Sequence, residues 1–328
     1  MMRKLLRVAY VLPTMNIGGT ELQLLHLMRG LAQDFEVTLI LTRQGGTLIG
    51  DVRRAGIYTR VLDSASGWDP RQGRRIYRAL RQHTPHIVHS FQFGFDYWVN
   101  RAARRADVPL ILSSRRQLAT WKRARHLWLQ RRANRHVDHV IANSRAVAEF
   151  AAQQEGLPDQ QLSVIPNGIN ADDYLSETPV AVLRRRFDLP PHGFVVGMIA
   201  NFSPVKDHAL FLDMAARILA VRRDVHFFLI GSGPLVHAMG RRIMHAGHAE
   251  HFTRLATVNE IADCVHVMDL FVSTSQQEGF PTAIMEAMAA GRPVVAPPVG
   301  GIAELVRDGE TGRLVAPRTA EAFADAVQ

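Results

Sequence analysis

Cysteine is nearly missing: Cys264 is the only one in 328 residues, so no internal disulfide can form and nothing calls for an oxidising compartment. No stretch approaches the ~18 consecutive apolar residues of a membrane span. The opening MMRKLLRVAYVLPTMN imitates a signal peptide, but Arg7 interrupts its apolar run and no small-residue cleavage site follows. The expectation is a cytoplasmic protein. No internal repeat or low-complexity tract is present, which sets aside solenoids and compositionally biased segments. Lysine is scarce too. Of 39 basic residues, 36 are Arg, and Lys4, Lys122 and Lys206 are the rest. An Arg-rich stretch therefore says less here than usual, and a Lys at a motif position says more.

What is present is a globular balance, 47% apolar and 21% charged residues, in a chain long enough for about two domains of ~150 residues each. The net charge of +9 is uneven: residues 1–175 hold 25 Lys and Arg against 14 Asp and Glu, a net +11, and residues 176–328 carry −2. A basic first half points to phosphates or an anionic membrane face. Short apolar runs alternate with helix-period stretches, the pattern of parallel sheets. Strands are expected at 7–13, 35–41, 86–90, 109–113, 139–143 and 162–166. A second set is expected at 194–201, 225–231, 269–273, 292–297 and 312–316. A polar stretch at about 170–192, with Pro179, Pro190 and Pro191, separates the sets. The reading is α/β, with domains at 1–172 and 173–328 and ligands bound beyond the carboxyl ends of the strands.

The motifs fall just after strands. In EGFPTAIMEAMAAGRPVVA (278–296), Glu278 and Gly279 lead into a turn, and Pro281 suits a helix start. The amides around Phe280, Pro281, Thr282 and Ala283 would face an anion. Glu286 lies five residues further in, about 7.5 Å along at 1.5 Å per residue. A carboxylate accepts two hydrogen bonds and suits vicinal hydroxyls of a sugar or ribose. Spacing alone leaves open that both Glu are solvated helix residues. Lys206, in IANFSPVKDH (199–208), offers a compact charge for a diphosphate; a lysine at a helix start gains nothing from the dipole. Gly18 and Gly19, after the first strand, allow close backbone approach to phosphate or simply make a turn. GSGP (231–234) lacks the dinucleotide fingerprint spacing and reads as a turn.

Taken together these segments resemble retaining glycosyltransferase family 4. The 278–296 stretch looks like its donor motif. GGIAELVRDGETGRLV (300–315), VIPNGIN (164–170), IANSRAVAEF (141–150) and NIGGTELQLLHLMRGL (16–31) match it in order. The resemblance implies a GT-B fold, two Rossmann-like domains with parallel sheets facing across a cleft. It implies transfer of a sugar from a nucleotide-diphosphate-sugar to a glycan or lipid-linked acceptor in bacterial surface polysaccharide or glycolipid synthesis. Glu278 and Lys206 are the catalytic residues it implies. Gly18, Gly19, Asn201, Lys206, Gly279, Phe280, Pro281, Thr282, Ala283 and Glu286 are the donor-binding set. The segment ATVNE (256–260) would border the base.

Three departures stand out. The family often has Arg at the position of Asn201, so charge on the phosphates is reduced. Arg115 stands where many members place a His, and, with the strand-end His89, is read as an acceptor-side catalytic group; a guanidinium cannot act as a base near neutral pH. The chain also stops within EAFADAVQ, without the family's terminal helical segment across the first domain, which reads as truncation or divergence.

WKRARHLWLQRRANRHVDHV (121–140) mixes arginine with Trp121 and Trp128, as in a helix on anionic lipid, or as in an amphipathic helix with its apolar face in the core. Nucleic acid is not expected, since no binding module accompanies the charge. His245, His248 and His251 lack a completing Cys or carboxylate, and no Asp-x-Asp metal-nucleotide motif follows a first-domain strand, so neither metal nor cofactor is expected. The expected localisation is cytoplasmic, peripheral on the inner membrane face. A non-catalytic nucleotide-sugar-binding protein and a nucleotide-sugar epimerase are the alternatives on the same scaffold.

Overall fold

Apolar runs bounded by polar turns become strands buried on both faces, and the stretches between them become the covering helices. The structure, a computed structural model, describes residues 5–63, 71–91, 95–256, 258 and 260–328. The chain divides into two units, Met1–Gly168 and Ile169–Gln328, a little ahead of the expected boundary at 172.

In the first unit the strands are β1 (Leu6–Leu12), β2 (Phe35–Leu41), β3 (Tyr58–Val61), β4 (Ile87–Ser90), β5 (Leu110–Arg115), β6 (His139–Ala142) and β7 (Leu162–Val164). They form one parallel sheet in the order β3-β2-β1-β4-β5-β6-β7. The helices are α1 (Gly19–Leu31), α2 (Ile49–Arg54), α3 (Gln72–His83), α4 (Asp96–Arg105), α5 (Ala124–Asn134) and α6 (Arg145–Glu155). Side chains alternate across the sheet. Along β1, Val8, Tyr10 and Leu12 join a core with Leu24 and Met28 of α1, and Ala9 and Val11 join one with Ile76, Val99 and Ala151 of α3, α4 and α6. Covered on both faces, the strands read as continuous apolar runs rather than alternating ones. Helix α6 shows how ends are set: the Ser144 hydroxyl accepts from the Val147 N–H at 3.1 Å, and Gly156 stops the helix at φ +67°.

The second unit holds β8 (Phe194–Ile199), β9 (Val225–Ile230), β10 (Phe252–Leu255), β11 (Leu270–Val272), β12 (Val294–Ala296) and β13 (Gly312–Leu314). Its helices are α7 (Val180–Arg186), α8 (His208–Val221), α9 (Val236–His245), α10 (Ile261–His266), α11 (Thr282–Ala289), α12 (Ile302–Leu305) and α13 (Ala320–Val327). The sheet is parallel, in the order β10-β9-β8-β11-β12-β13. Two apolar layers cover it, one around Phe211, Phe227 and Phe323 and one around Phe228, Phe271 and Ile284. Cys264 lies within the second layer, its thiol pushed up to about 12 by burial.

Strands β3 and β10 are absent from the sequence reading. Each has four residues at a sheet edge, and each carries an arginine. In each sheet the strand order reverses beside the first strand, between β1 and β4 and between β8 and β11. Ligands of open parallel sheets bind at such switch points, beyond the carboxyl ends of the strands.

Candidate functional site

In the second unit the two loops that leave this switch point are laced together. The β8 loop runs through Asn201, which is exposed, to a 3-10 turn at Pro204–Lys206, and α8 follows. Asp207 caps α8 by accepting from the Leu210 N–H at 3.3 Å. The β11 loop begins with the buried Ser273, Thr274 and Ser275. The Thr274 hydroxyl is directed at the carbonyls of Lys206 and Asp207, at 3.1 and 3.0 Å, and the Gln276 N–H donates to the Val205 carbonyl at 2.8 Å. Arg318 adds a clamp, donating to Asp207 at 2.6 Å and to the Thr274 carbonyl at 3.2 Å.

This lacing sets two charges together. The Lys206 ammonium donates to Oε1 of Glu278, and the Ser275 hydroxyl donates to the same oxygen at 2.7 Å. The lysine keeps a quarter of its side chain in water. Glu278 and Gly279 sit against the 300–301 turn: a Cβ on Gly301 would stand 2.1 Å from the Gly279 carbonyl oxygen, so only glycine fits there. Gly231, at the end of β9, is equally confined; its φ is +148° and a Cβ would lie 2.0 Å from the Ala200 carbonyl oxygen. Phe280 and Pro281 lead into α11, which begins at Thr282 and Ala283.

Glu286 lies in α11 with 8% of its surface exposed. The Tyr174 hydroxyl, from the 3-10 turn Ala171–Tyr174, donates to its Oε1 at 3.2 Å. Burial raises the Glu286 carboxyl to about 7, against the opposing pull of the Tyr174 hydrogen bond. Tyr174 is a residue the sequence reading did not single out. Thr257 and Asn259 of the segment expected to border a base lie outside the described residues.

The first unit corrects two expectations. Arg115 is the last residue of β5, on the same face as Ile111 and Ser113, and points under the helices. Its Nε donates to Glu155 at 2.8 Å, Nη1 to Asp96 at 2.9 Å and Nη2 to Asn134 at 2.9 Å. Lys122 donates to the other Glu155 oxygen at 2.8 Å. Burial works against the charge of Glu155, but Arg115 and Lys122 hold its carboxyl below the usual range. With its three nitrogens committed and 8% of its side chain exposed, Arg115 is a structural anchor and not a ligand for phosphate. His89 is buried between the rings of Tyr10 and Phe91 and bonded to Ser114 at 2.9 Å. Burial and the Arg116 charge depress it to about 3, so the ring is uncharged near neutrality.

Arg116, the residue after β5, is the strand-end cation. It donates to Asn167 and lies over the Phe91 ring at 5.4 Å, and burial lowers it only to about 10. Gly18 and Gly19 open α1: Gly18 is extended at the N-cap, and its carbonyl accepts from the Leu22 N–H at 2.9 Å. Among the described residues no cluster of three or more His, Cys, Asp and Glu is placed to hold a metal ion.

A fixed ammonium against a carboxylate at the start of a helix, with a second carboxylate inside that helix, can hold a diphosphate and flanking hydroxyls. The comparisons with known proteins agree on a class. The family model described as Glycosyltransferase Family 4 matches residues 17–173, and the one described as Glycosyl transferases group 1 matches residues 193–328. The chain is 30% identical over 251 residues to the GDP-mannose-dependent alpha-mannosyltransferase of Mycobacterium tuberculosis, covering 74% of this chain and 63% of that one. It is 24% identical over 308 residues to the UDP-Gal:alpha-D-GlcNAc-diphosphoundecaprenol alpha-1,3-galactosyltransferase of Escherichia coli, covering 90% and 80%. The fold matches the crystal structure of HepE from Anabaena in complex with UDP and glucose. There the TM-score is 0.87 at 22% identity, over 98% of this chain and 88% of that one. With one of these two glycosyltransferase models on each unit, this chain belongs to the family 4, group 1 glycosyltransferases, and its two parallel sheets have the GT-B type of fold.

Proposed function

We propose that the protein is a retaining glycosyltransferase that takes a sugar from a nucleotide-diphosphate-sugar and places it on a hydroxyl of a lipid-linked or glycan acceptor. The observation that carries this reading is the Lys206–Glu278 pair at the head of α11, with the buried Glu286 further along the same helix. On donor binding the ammonium turns from the carboxylate to the diphosphate oxygens. Glu278, released, accepts hydrogen bonds from hydroxyls of the transferred sugar, and Glu286 accepts from the ribose. The amides of Phe280, Thr282 and Ala283 add dipoles for the phosphate. Gly18, Gly19, Asn201, Gly279 and Pro281 are backbone and loop members of the donor set.

In the reaction, the acceptor oxygen bonds to the anomeric carbon on the face from which the bond to phosphate oxygen breaks. The acceptor proton passes to the departing phosphate. The protein then has two tasks, stabilising charge on the leaving diphosphate and holding the reactants in place. No group with a pKa near neutrality is needed as base, which fits a His89 ring that stays uncharged. Positive charge on the acceptor side comes from Arg116.

The acceptor's setting is read from α5. This helix buries polar residues, since Gln130 and Asn134 face the Asp96–Arg115–Glu155 network, and exposes aromatic ones. Trp128 on α5 and Trp121 just before it are 56% and 53% exposed, and Arg132 lies 4.2 Å over the Trp128 ring. No acidic residue occurs from Val108 to Val137, and α3 and α4, packed in series beside α5, expose Arg74, Arg78, Arg101 and Arg105. Exposed indoles among arginines suit the headgroup layer of an anionic bilayer, where a lipid-linked acceptor resides. Among the described residues no helix is long and apolar enough to cross a membrane, and the attachment proposed here is through this basic, indole-bearing face.

Proton NMR of the product formed from a panel of nucleotide-sugars and a lipid-diphosphate-sugar acceptor tests the reading. Retained anomeric configuration with release of nucleoside diphosphate is expected. An inverted product, an epimerised donor without acceptor, or binding without release would each overturn it.

A further inference from the structure

Tyr174 brings a hydroxyl to Glu286 from a 3-10 turn outside α11. The turn that carries it is pinned to its own unit. The Ser176 hydroxyl donates to Asp263 of α10 at 2.5 Å, Arg186 donates to the other oxygen of Asp263 at 2.8 Å, and Asn170 donates to Asp173 at 2.8 Å. The turn packs on both α10 and α11. Its tyrosine ring is thereby delivered to Glu286 from outside α11, and the hydroxyl donates to Oε1 at 3.2 Å. Phenylalanine would occupy the same space, so packing does not account for the oxygen.

Among the described residues, Oε2 of Glu286 accepts no hydrogen bond. The carboxylate therefore has one oxygen held by the protein and one available to a ligand. An ionised carboxylate oxygen accepts two hydrogen bonds, the number that a pair of vicinal hydroxyls donates. We infer that Tyr174 is a positioning residue for nucleotide binding: it fixes the rotamer of Glu286 so that Oε2 receives the ribose hydroxyls. The inference rests on the donor-site reading of Glu286 given above.

The titratable groups on the elements packed against α11 support this assignment. They are Asp172, Asp173 and Tyr174 on the turn and Asp263, Cys264 and His266 on α10; β12 carries none. Asp263 is engaged by Ser176 and Arg186, and Cys264 is a neutral buried thiol. Among the described residues, Tyr174 is the side chain that donates to Glu286. Burial and the nearby carboxylate raise the Tyr174 phenol, so it keeps its proton at any working pH. With Glu286 raised to about 7 by burial, loss of the donated hydrogen bond moves it higher and leaves the carboxyl protonated at neutral pH.

The test is calorimetric binding of UDP, GDP and ADP to the full chain, taking the tightest of the three as probe. Measurements run from pH 6 to 9 for the wild type, Tyr174→Phe, Glu286→Gln and the double variant. Tyr174→Phe is expected to weaken binding about tenfold near pH 7.5, the size of a hydrogen bond to a charged group. The ratio of its Kd to that of the wild type should shrink towards pH 9, as the higher-titrating carboxyl ionises. In the Glu286→Gln background the same substitution should change nothing further. A ratio of one at pH 7.5, a ratio constant with pH, or additive effects in the double variant would each overturn the positioning role. If Glu286→Gln alone leaves binding unaltered, it is the donor-site reading that fails, whatever Tyr174→Phe does. Retained thermal stability in Tyr174→Phe shows that the turn itself is intact.

Discussion

Arg115 and Glu155 face each other across 2.8 Å from β5 and the last turn of α6, both almost wholly withdrawn from water. Arg116, one residue along, sends its guanidinium to Asn167 and over Phe91 instead. The parity of a strand separates a structural cation from one at the strand end, since successive side chains point to opposite faces.

That separation predicts opposite phenotypes. Arg115→Ala leaves Asp96 and Glu155 buried with reduced compensation and should cost about 3–5 kcal/mol of stability. Urea denaturation with an unaltered slope is the measurement. Arg116→Ala should stay folded and lose turnover, seen as a fall in kcat/KM with a melting temperature near that of the wild type.

At the donor site, Lys206→Ala and Glu278→Gln should each lower kcat by about a hundredfold or more, the scale of removing one preorganised electrostatic contact. Glu286→Ala should chiefly raise the donor KM. Steady-state kinetics with the preferred nucleotide-sugar separates these effects. Unaltered kinetics in both glutamate variants would refute the assignment of the α11 carboxylates.

Gly301→Ala tests the support of the Glu278 loop. An added Cβ meets the Gly279 carbonyl oxygen at 2.1 Å, and that neighbour is backbone, so the turn must shift. The variant should keep its fold and lose activity comparably to Glu278→Gln. Equal activity in Gly301→Ala would show that the loop tolerates displacement.

Stability should fall on acidification. Burial depresses His89 to about 3, and His208 and His226 to about 4. Unfolded histidine titrates near 6.5, so below that pH the unfolded state binds protons that the native state refuses. Their contribution is complete above pH 6.5 and is lost as pH falls towards 4, at about 1.4 kcal/mol per pH unit for each ring. Glu286 and Asp96, both raised by burial, act in the opposite sense. The melting temperature should drop between pH 7 and 5, and His226→Gln should flatten the slope by about one ring's share.

Much of this protein is legible in its residues taken in order. The two sets of apolar runs prescribe two parallel sheets, because strands covered on both faces must be apolar throughout. The glycines, the Lys206 segment and the Glu278–Glu286 spacing sit at strand ends, where local chain geometry alone brings amides and carboxylates near one another. Strands β3 and β10 escaped because edge strands of four residues with an arginine each give no run to see. Arg115 was misplaced for a related reason. Its strand extends two residues beyond the apolar run, and its partners Asp96 and Glu155 lie 19 and 40 residues away. Lys206 and Glu278 are 72 residues apart, and Tyr174 and Glu286 are 112 apart. Local periodicity reaches only as far as one helix or strand. Which charge is buried, which is paired and which is left for a ligand depends on contacts between distant elements, and only the folded chain supplies those.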